Sequence, residues 1–344
     1  MNSESKNSLD LKEVVSEFHN IDIRYIWFDF FVNVLLSWPL FIYTCFKPNL
    51  IIFCISIFFL YRGTMLIHEV SHLSKKIKGY KLAYNLFFGW FSSYPAYIFD
   101  KHLYHHGKAT YATKKDPEYK FIEEYNLITF VRPILASLLL PVFQVIRFGI
   151  MPFIIPFLSI EKQSFIFEKM STLVFDTSYK RKFKNQSKEL SEMKFNDLMS
   201  ALYKVIVLIL VINEILPWEF IYYYYFGFVI GSILNMYRAI FNHLYSNYTL
   251  RPMDTDSHIL DTTTIESSIL TNIIFVNGLN YHALHHLFPE IPYYNLKAAH
   301  NKAMKCLNTD HVYRKTVFKN VFDLLSHCIS IRNSKVRLAI HRTI

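Results

Sequence analysis

Two apolar runs, Tyr25 to Phe46 and Leu50 to Ile67, are separated only by Lys47, Pro48 and Asn49, and this arrangement constrains the chain more than any other feature. Each run approaches the roughly 20 residues that an α-helix needs to cross a bilayer, and three residues leave room only for a turn back. The expected element is a helical hairpin that enters a membrane and returns. A second hairpin is expected from Ala201 to Leu216 and Phe220 to Phe241, turned by Pro217, Trp218 and Glu219. Backbone groups in lipid must satisfy one another. The predicted class is therefore an all-α polytopic membrane protein with two or more transmembrane hairpins and a cytoplasmic helical cap.

The intervening segments are less regular. Leu82 to Phe99 is apolar but broken by Gly89, Ser92, Ser93 and Pro95, and is expected to be interfacial or re-entrant. Leu127 to Leu158 is interrupted by Pro133, Pro141, Pro152 and Pro156, which suits a kinked hairpin or helices lying on the membrane surface. Residues 161 to 198 are polar, with Lys180, Arg181, Lys182 and Lys184, and are expected to form a water-exposed loop. The arm before Arg24 lacks the basic start and short apolar core of a cleaved signal peptide. Three parts are expected: a cytoplasmic arm over 1–24, a membrane domain over 25–300 and a cytoplasmic tail over 301–344.

The formal net charge of +10 could suggest nucleic acid, but the basic residues flank apolar runs, where they set orientation and meet anionic lipid. No basic, aromatic-interleaved module is present, so no nucleic-acid partner is expected. Cys45, Cys54, Cys306 and Cys328 are widely spaced and indicate neither a disulfide framework nor a CxxC metal knuckle. The positive-inside rule assigns Lys75 to Lys81 and Lys180 to Lys184 to the cytoplasm. Each hairpin returns to its starting side, so both termini and the histidine groups are expected on the cytoplasmic face.

Nine of the 15 histidines fall into four groups: His68 and His72 in HEVSH; His102, His105 and His106 in HLYHH; His243 in FNHLY; His282, His285 and His286 in HALHH. Residues three or four apart on a helix stand about 5–6 Å apart at Cβ, so two imidazoles can reach one ion. Adjacent histidines diverge by about 100° around the axis and suit two different ions. An octahedral ion takes about six ligands, so nine histidines are too many for one ion and fit two. HEVSH alone also reads as a polar helix end or a zinc protease motif with Glu69 as base. Two HxxHH boxes beside a membrane hairpin point to metal, because ionisable groups near a bilayer are costly unless they function. His243 as an isolated ligand competes with a helix-capping role. His19, His258, His300, His311, His327 and His341 show no helical pairing and are expected to be surface or core residues.

The segments HEVSHL, YATKKDPEY and GLNYHALHHLFPEIPYYNLKAAH resemble the membrane fatty acid desaturase family, its bacterial members in particular, from about Leu66 to about His300. The resemblance implies a mushroom-shaped protein with a di-iron centre and an acyl tunnel. It makes His68, His72, His102, His105, His106, His243, His282, His285 and His286 the iron ligands. In two respects the chain departs from many relatives: the shorter HEVSH spacing, and Ala239, one turn before His243, where some relatives carry asparagine.

Imidazole suits Zn, Cu, Fe and Ni alike, whereas removing hydrogen from an unactivated methylene needs a redox metal. The resemblance implies two iron ions, dioxygen and electrons from an external donor, a ferredoxin or b-type cytochrome docking on the basic face. Glu69 and Asp116 are candidates to orient imidazoles; Asp116, before Pro117, equally suits a turn start. The expected activity is desaturation of an acyl chain borne by a lipid, CoA or carrier protein. Alternatives are a hydroxylase or ketolase of the same di-iron class, a membrane zinc protease using HEVSH, and a metal carrier or channel.

Overall fold

The computed structural model describes residues 10–122, 125–175, 177–183 and 187–340. Its described residues are mainly helical; the strand content is one parallel pair, Thr264–Ile265 with Val317–Phe318. The chain divides into two compact units. Ile23–Lys120 and Arg132–Leu234 make one, hereafter the spanning unit; the segment before Ile23, Phe121–Val131 and the chain from Asn235 onward make the other, the terminal unit.

Among the described residues, four helical runs are long and apolar enough to cross a membrane: Ile23–Phe46, Leu50–Leu73, Leu127–Phe157 and Lys188–Ile212. The first two form the expected hairpin, and Asn49 in its turn accepts a hydrogen bond from the Ile52 N–H at 3.0 Å, capping the returning helix. Arg62 and Asp29 pair between these helices at 2.8 Å, a charge pair of the kind that membrane helices tolerate only when both signs are present. Phe41, Cys45, Phe53, Ile57 and Phe220 pack into one apolar core. Gly63 allows the close approach of Phe88, since a Cβ there would lie 2.3 Å from its ring.

Residues 80–99 are a broken helix, and the breakage leaves carbonyls that lipid cannot satisfy. Tyr80–Tyr84 passes into a π-helical stretch, Asn85–Gly89, then Trp90–Ser92; Ser93 turns the chain at φ 62° into the 3-10 helix Ala96–Phe99. Donors from neighbouring helices meet the carbonyls. Trp38 Nε1 donates to Phe87 O at 2.8 Å, Tyr203 OH to Leu86 O at 3.1 Å, Lys204 Nζ to Trp90 O at 2.6 Å, and Tyr224 OH to Phe91 O at 3.1 Å. Lys204, a cation inside an apolar helix, is explained by this role.

The structure corrects three expectations. Leu127–Phe157 is not a hairpin: Leu127–Val145 continues through a π-helical turn, Ile146–Ile150, into Met151–Ile154 and Ile155–Phe157. Pro152 and Pro156 open fresh helical turns, where no N–H is required, while Pro133 and Pro141 lie inside the helix Leu127–Val145 without reversing it. The polar stretch 161–198 is mostly helix, Ile160–Met170 and the start of Lys188–Ile212. Arg181 within it is buried rather than water-exposed: it donates to Glu189 at 2.8 Å and to the carbonyls of Tyr97 and Ser171, and pairs with Asp100. Lys180 and Lys182 are exposed, and Lys184 lies outside the described residues. The tyrosine-rich Glu219–Asn242 forms a helix of 24 residues as expected but is not among the four most apolar runs.

A second buried charge group lies in the spanning unit. Arg147 pairs with Asp197 at 2.7 Å, Tyr97 donates to the same carboxylate, and Arg147 Nε donates to Met170 O at 3.1 Å. Both groups hold the Ala96–Phe99 helix, which leads directly into His102.

In the terminal unit, the helix Leu11–Val15, capped by Asp10, buries Leu11, Val14 and Val15. The 3-10 turn Ser16–His19 that follows it is joined to the helix Leu296–Cys306 through Lys302 with Glu17 at 2.9 Å, and Asn295 donates to Phe18 O at 2.9 Å. Gly278, at φ 69°, starts the turn into the histidine helix His282–Leu287; a Cβ there would meet Tyr293 O at 2.7 Å.

Candidate metal centre

In the spanning unit His68 and His72 stand one turn apart on the helix Ile67–Leu73, and His102 and His106 one turn apart on His102–His106. The two helices bring the four rings together. Centroids lie 4.6 Å apart for His68 and His102, 4.9 Å for His72 and His106, and 4.6 Å for His102 and His106. The facing Nε2 atoms of His102 and His106 are 2.9 Å apart, and the ligand atoms of all four histidines lie within 4.8 Å of one another.

In the terminal unit His243 follows the helix Glu219–Asn242, and His282 and His286 lie one turn apart on His282–Leu287. Nε2 of His282 is 2.9 Å from Nε2 of His243 and 3.0 Å from Nε2 of His286. A metal–nitrogen bond near 2.1 Å puts adjacent ligand nitrogens about 3 Å apart. Both clusters therefore have the spacing of a coordination edge, and all seven rings are buried or half-buried.

His105 and His285 diverge from their neighbours as helix geometry requires. Ring centroids lie 5.9 Å apart for His105 and His106 and 6.4 Å for His285 and His286, against 4.6 Å for His102 and His106 and 4.5 Å for His282 and His286.

Carboxylates stand behind the spanning-unit histidines at the ring nitrogen away from the cluster. Glu69, expected from sequence as a candidate to orient an imidazole, accepts from His68 Nδ1 at 2.9 Å. Asp116 makes contacts of both kinds weighed for it: Oδ2 meets His105 Nδ1 at 2.9 Å and the Ala112 N–H, while Oδ1 accepts from the Glu118 N–H. Two partners were not foreseen. Glu118 meets His102 Nδ1 at 2.7 Å, and His258, taken from sequence as an ordinary surface or core residue, places Nε2 3.0 Å from His286 Nδ1. Glu118 was visible in DPEY beside Asp116; His258, 28 residues from His286, carried no spacing signal.

Burial and the neighbouring imidazoles hold the His102 pKa well below the ordinary value, which keeps the ring in the neutral form that binds metal. Asn242, next to His243, is buried with neither side-chain polar atom hydrogen-bonded, a position suited to a water or a small ligand. Ala239, at the site of the expected departure, uses its carbonyl to accept from Tyr245 OH at 2.7 Å.

The other scattered histidines do ordinary work. His19 pairs with Glu290 at 3.3 Å, His311 caps the helix Val312–Thr316, and His300 is buried between Tyr313 and Glu266. His327 packs against Phe318, and His341 lies outside the described residues.

The chain matches the family model described as fatty acid desaturase over residues 46–317. It is similar to a ceramide hydroxylase from Caulobacter vibrioides (strain NA1000 / CB15N), with 24% identity over 309 residues, covering 87% of this chain and 86% of the relative. No solved structure matches it.

Proposed function

Because the chain belongs to the fatty acid desaturase family, we propose that it is an oxygen-dependent desaturase that introduces a double bond into the acyl chain of a membrane lipid. The observation that carries this reading is the convergence of His102 with His106, and of His243, His282 and His286, at Nε2 separations of 2.9 to 3.0 Å. We assign two iron ions to His68, His72, His102, His106, His243, His282 and His286, with His105 and His285 as the remaining ligands. The ions would supply the dioxygen chemistry that removes hydrogen from an unactivated methylene. Glu69, Asp116 and Glu118 hold ring protons away from the clusters, so the facing nitrogens are presented unprotonated. Electrons come from an external ferredoxin or b-type cytochrome.

A relative named for hydroxylation favours a second outcome, an alcohol on the same chain. That relative acts on ceramide, which supports a lipid-borne chain over a CoA thioester or carrier-bound one. Desaturation and hydroxylation diverge after the first hydrogen is lost. Mass spectrometry of lipids from an aerobic host expressing the chain should show acyl species lighter by two hydrogens. A product heavier by one oxygen, with no lighter species, assigns the hydroxylase.

We place the histidine-bearing end of the spanning unit on the cytoplasmic side. Arg181 pairs there with Asp100, two residues before His102, so the basic segment and this histidine box share one end, and basic loops face the cytoplasm. Both termini are assigned to the same side. Cysteine at Asn49 should label from outside the cell, and cysteine at Lys182 only after permeabilisation; external labelling at 182 contradicts the placement.

A further inference from the structure

We infer that His258 is a positioning residue that fixes the tautomer and direction of His286, an inference resting on the assignment of His286 as a metal ligand. An imidazole that binds an ion through Nε2 carries its proton on Nδ1. His286 turns Nε2 toward His282 at 3.0 Å, and its Nδ1 faces His258 Nε2, also at 3.0 Å. The hydrogen bond must then run from His286 Nδ1–H to an unprotonated His258 Nε2. His258 does for His286 what Glu118 does for His102, but with a neutral acceptor in place of an anionic one.

The surrounding chain is built to hold that acceptor in place. His258 is buried on the helix Thr255–Asp261, whose start is capped by Asp254 accepting from the Ser257 N–H at 2.9 Å. At the end of the helix Asp261 O accepts from the Leu244 N–H at 2.8 Å, and just past it Thr263 O accepts from the Ala283 N–H at 3.0 Å. One short segment therefore ties together the backbones beside His243 and His282 and sets the ring that orients His286. A neutral acceptor polarises the imidazole less than a carboxylate, so the two ions would rest in different fields.

The test is anaerobic titration of the purified full-length chain in detergent with ferrous iron against a competing chelator, with bound iron counted. Wild type should take up two ions. His258→Leu, which lacks an acceptor, should keep one ion at wild-type affinity and weaken the other by about 10- to 100-fold. His258→Gln, whose carbonyl can accept from His286 Nδ1, should recover most of that loss. A purely structural role would lower the thermal stability of both variants alike and leave the two affinities together. If His258→Leu does not fold, His258→Met is compared with His258→Gln in its place. Two ions bound with unchanged affinity in the Leu or Met variant overturn the inference alone. A wild-type chain that binds no iron overturns the metal assignment, and the inference with it.

Discussion

The two histidine clusters reach the same spacing by different means. In the spanning unit, two short helices pair His68 and His72 with His102 and His106, and the carboxylates of Glu69 and Glu118 back two of these rings. The Ala96–Phe99 helix that delivers His102 is held by buried Arg181 and by Tyr97 bonded to Asp197. In the terminal unit, His243, His282 and His286 are brought together mainly by backbone hydrogen bonds from 242–263 and 283, and His286 is backed by an imidazole. One cluster is placed by charge; the other is placed by the backbone. Buried charge needs every partner present, so the first should be brittle to charge removal and the second tolerant of it.

The largest effects should come from the rings themselves and should be equal in both clusters. His106→Ala and His286→Ala should each abolish product formation and each lower bound iron from two toward one per chain. His19→Ala and His311→Ala should do neither. A variant of one cluster that retains full activity breaks the pairing of the two.

Next come the charges that hold the spanning unit. Arg181→Met removes the cation paired with Asp100 and the donor to the Tyr97 and Ser171 carbonyls, while Glu189 keeps Lys101, and should cost on the order of 3 kcal/mol, read as a large fall in thermal stability in detergent. An unchanged melting temperature would show that this cluster is not charge-placed. A smaller and more local effect is expected from Glu118→Gln, which keeps the shape but weakens the acceptor behind His102. Iron affinity at one site should fall by about 10- to 100-fold with the fold intact.

The smallest effect concerns pH in the terminal unit. Burial lowers the pKa of His300, and Glu266 opposes the shift only in part. A depressed histidine binds fewer protons folded than unfolded, so its contribution to stability is complete above the ordinary value near 6.5 and fades as pH falls below it. His300→Gln should flatten the loss of thermal stability between about pH 7 and 5. A slope identical to wild type would remove His300 from the account.

Much of this was legible in the residues. The first hairpin follows from two apolar runs and a three-residue turn, and the clusters follow from helical spacing, which His68 with His72 and His282 with His286 realise. What escaped is what depends on tertiary partners. Arg181 sits among exposed lysines and is buried because Asp100, Glu189 and two carbonyls await it. Four prolines in 127–158 left a kinked hairpin or surface helices open, but Pro152 and Pro156 start helical turns, where a proline interrupts nothing, and the helix carries Pro133 and Pro141 inside it without reversing. His258 pairs with His286 across 28 residues, a distance no helical pattern reports.

The central claim is that the two clusters hold a pair of iron ions. Elemental analysis with Mössbauer spectroscopy on the chain purified from an aerobic, iron-57-fed host tests it most directly. The account predicts two irons per chain, in two distinguishable environments. One zinc and no iron would contradict it and return HEVSH to the protease reading.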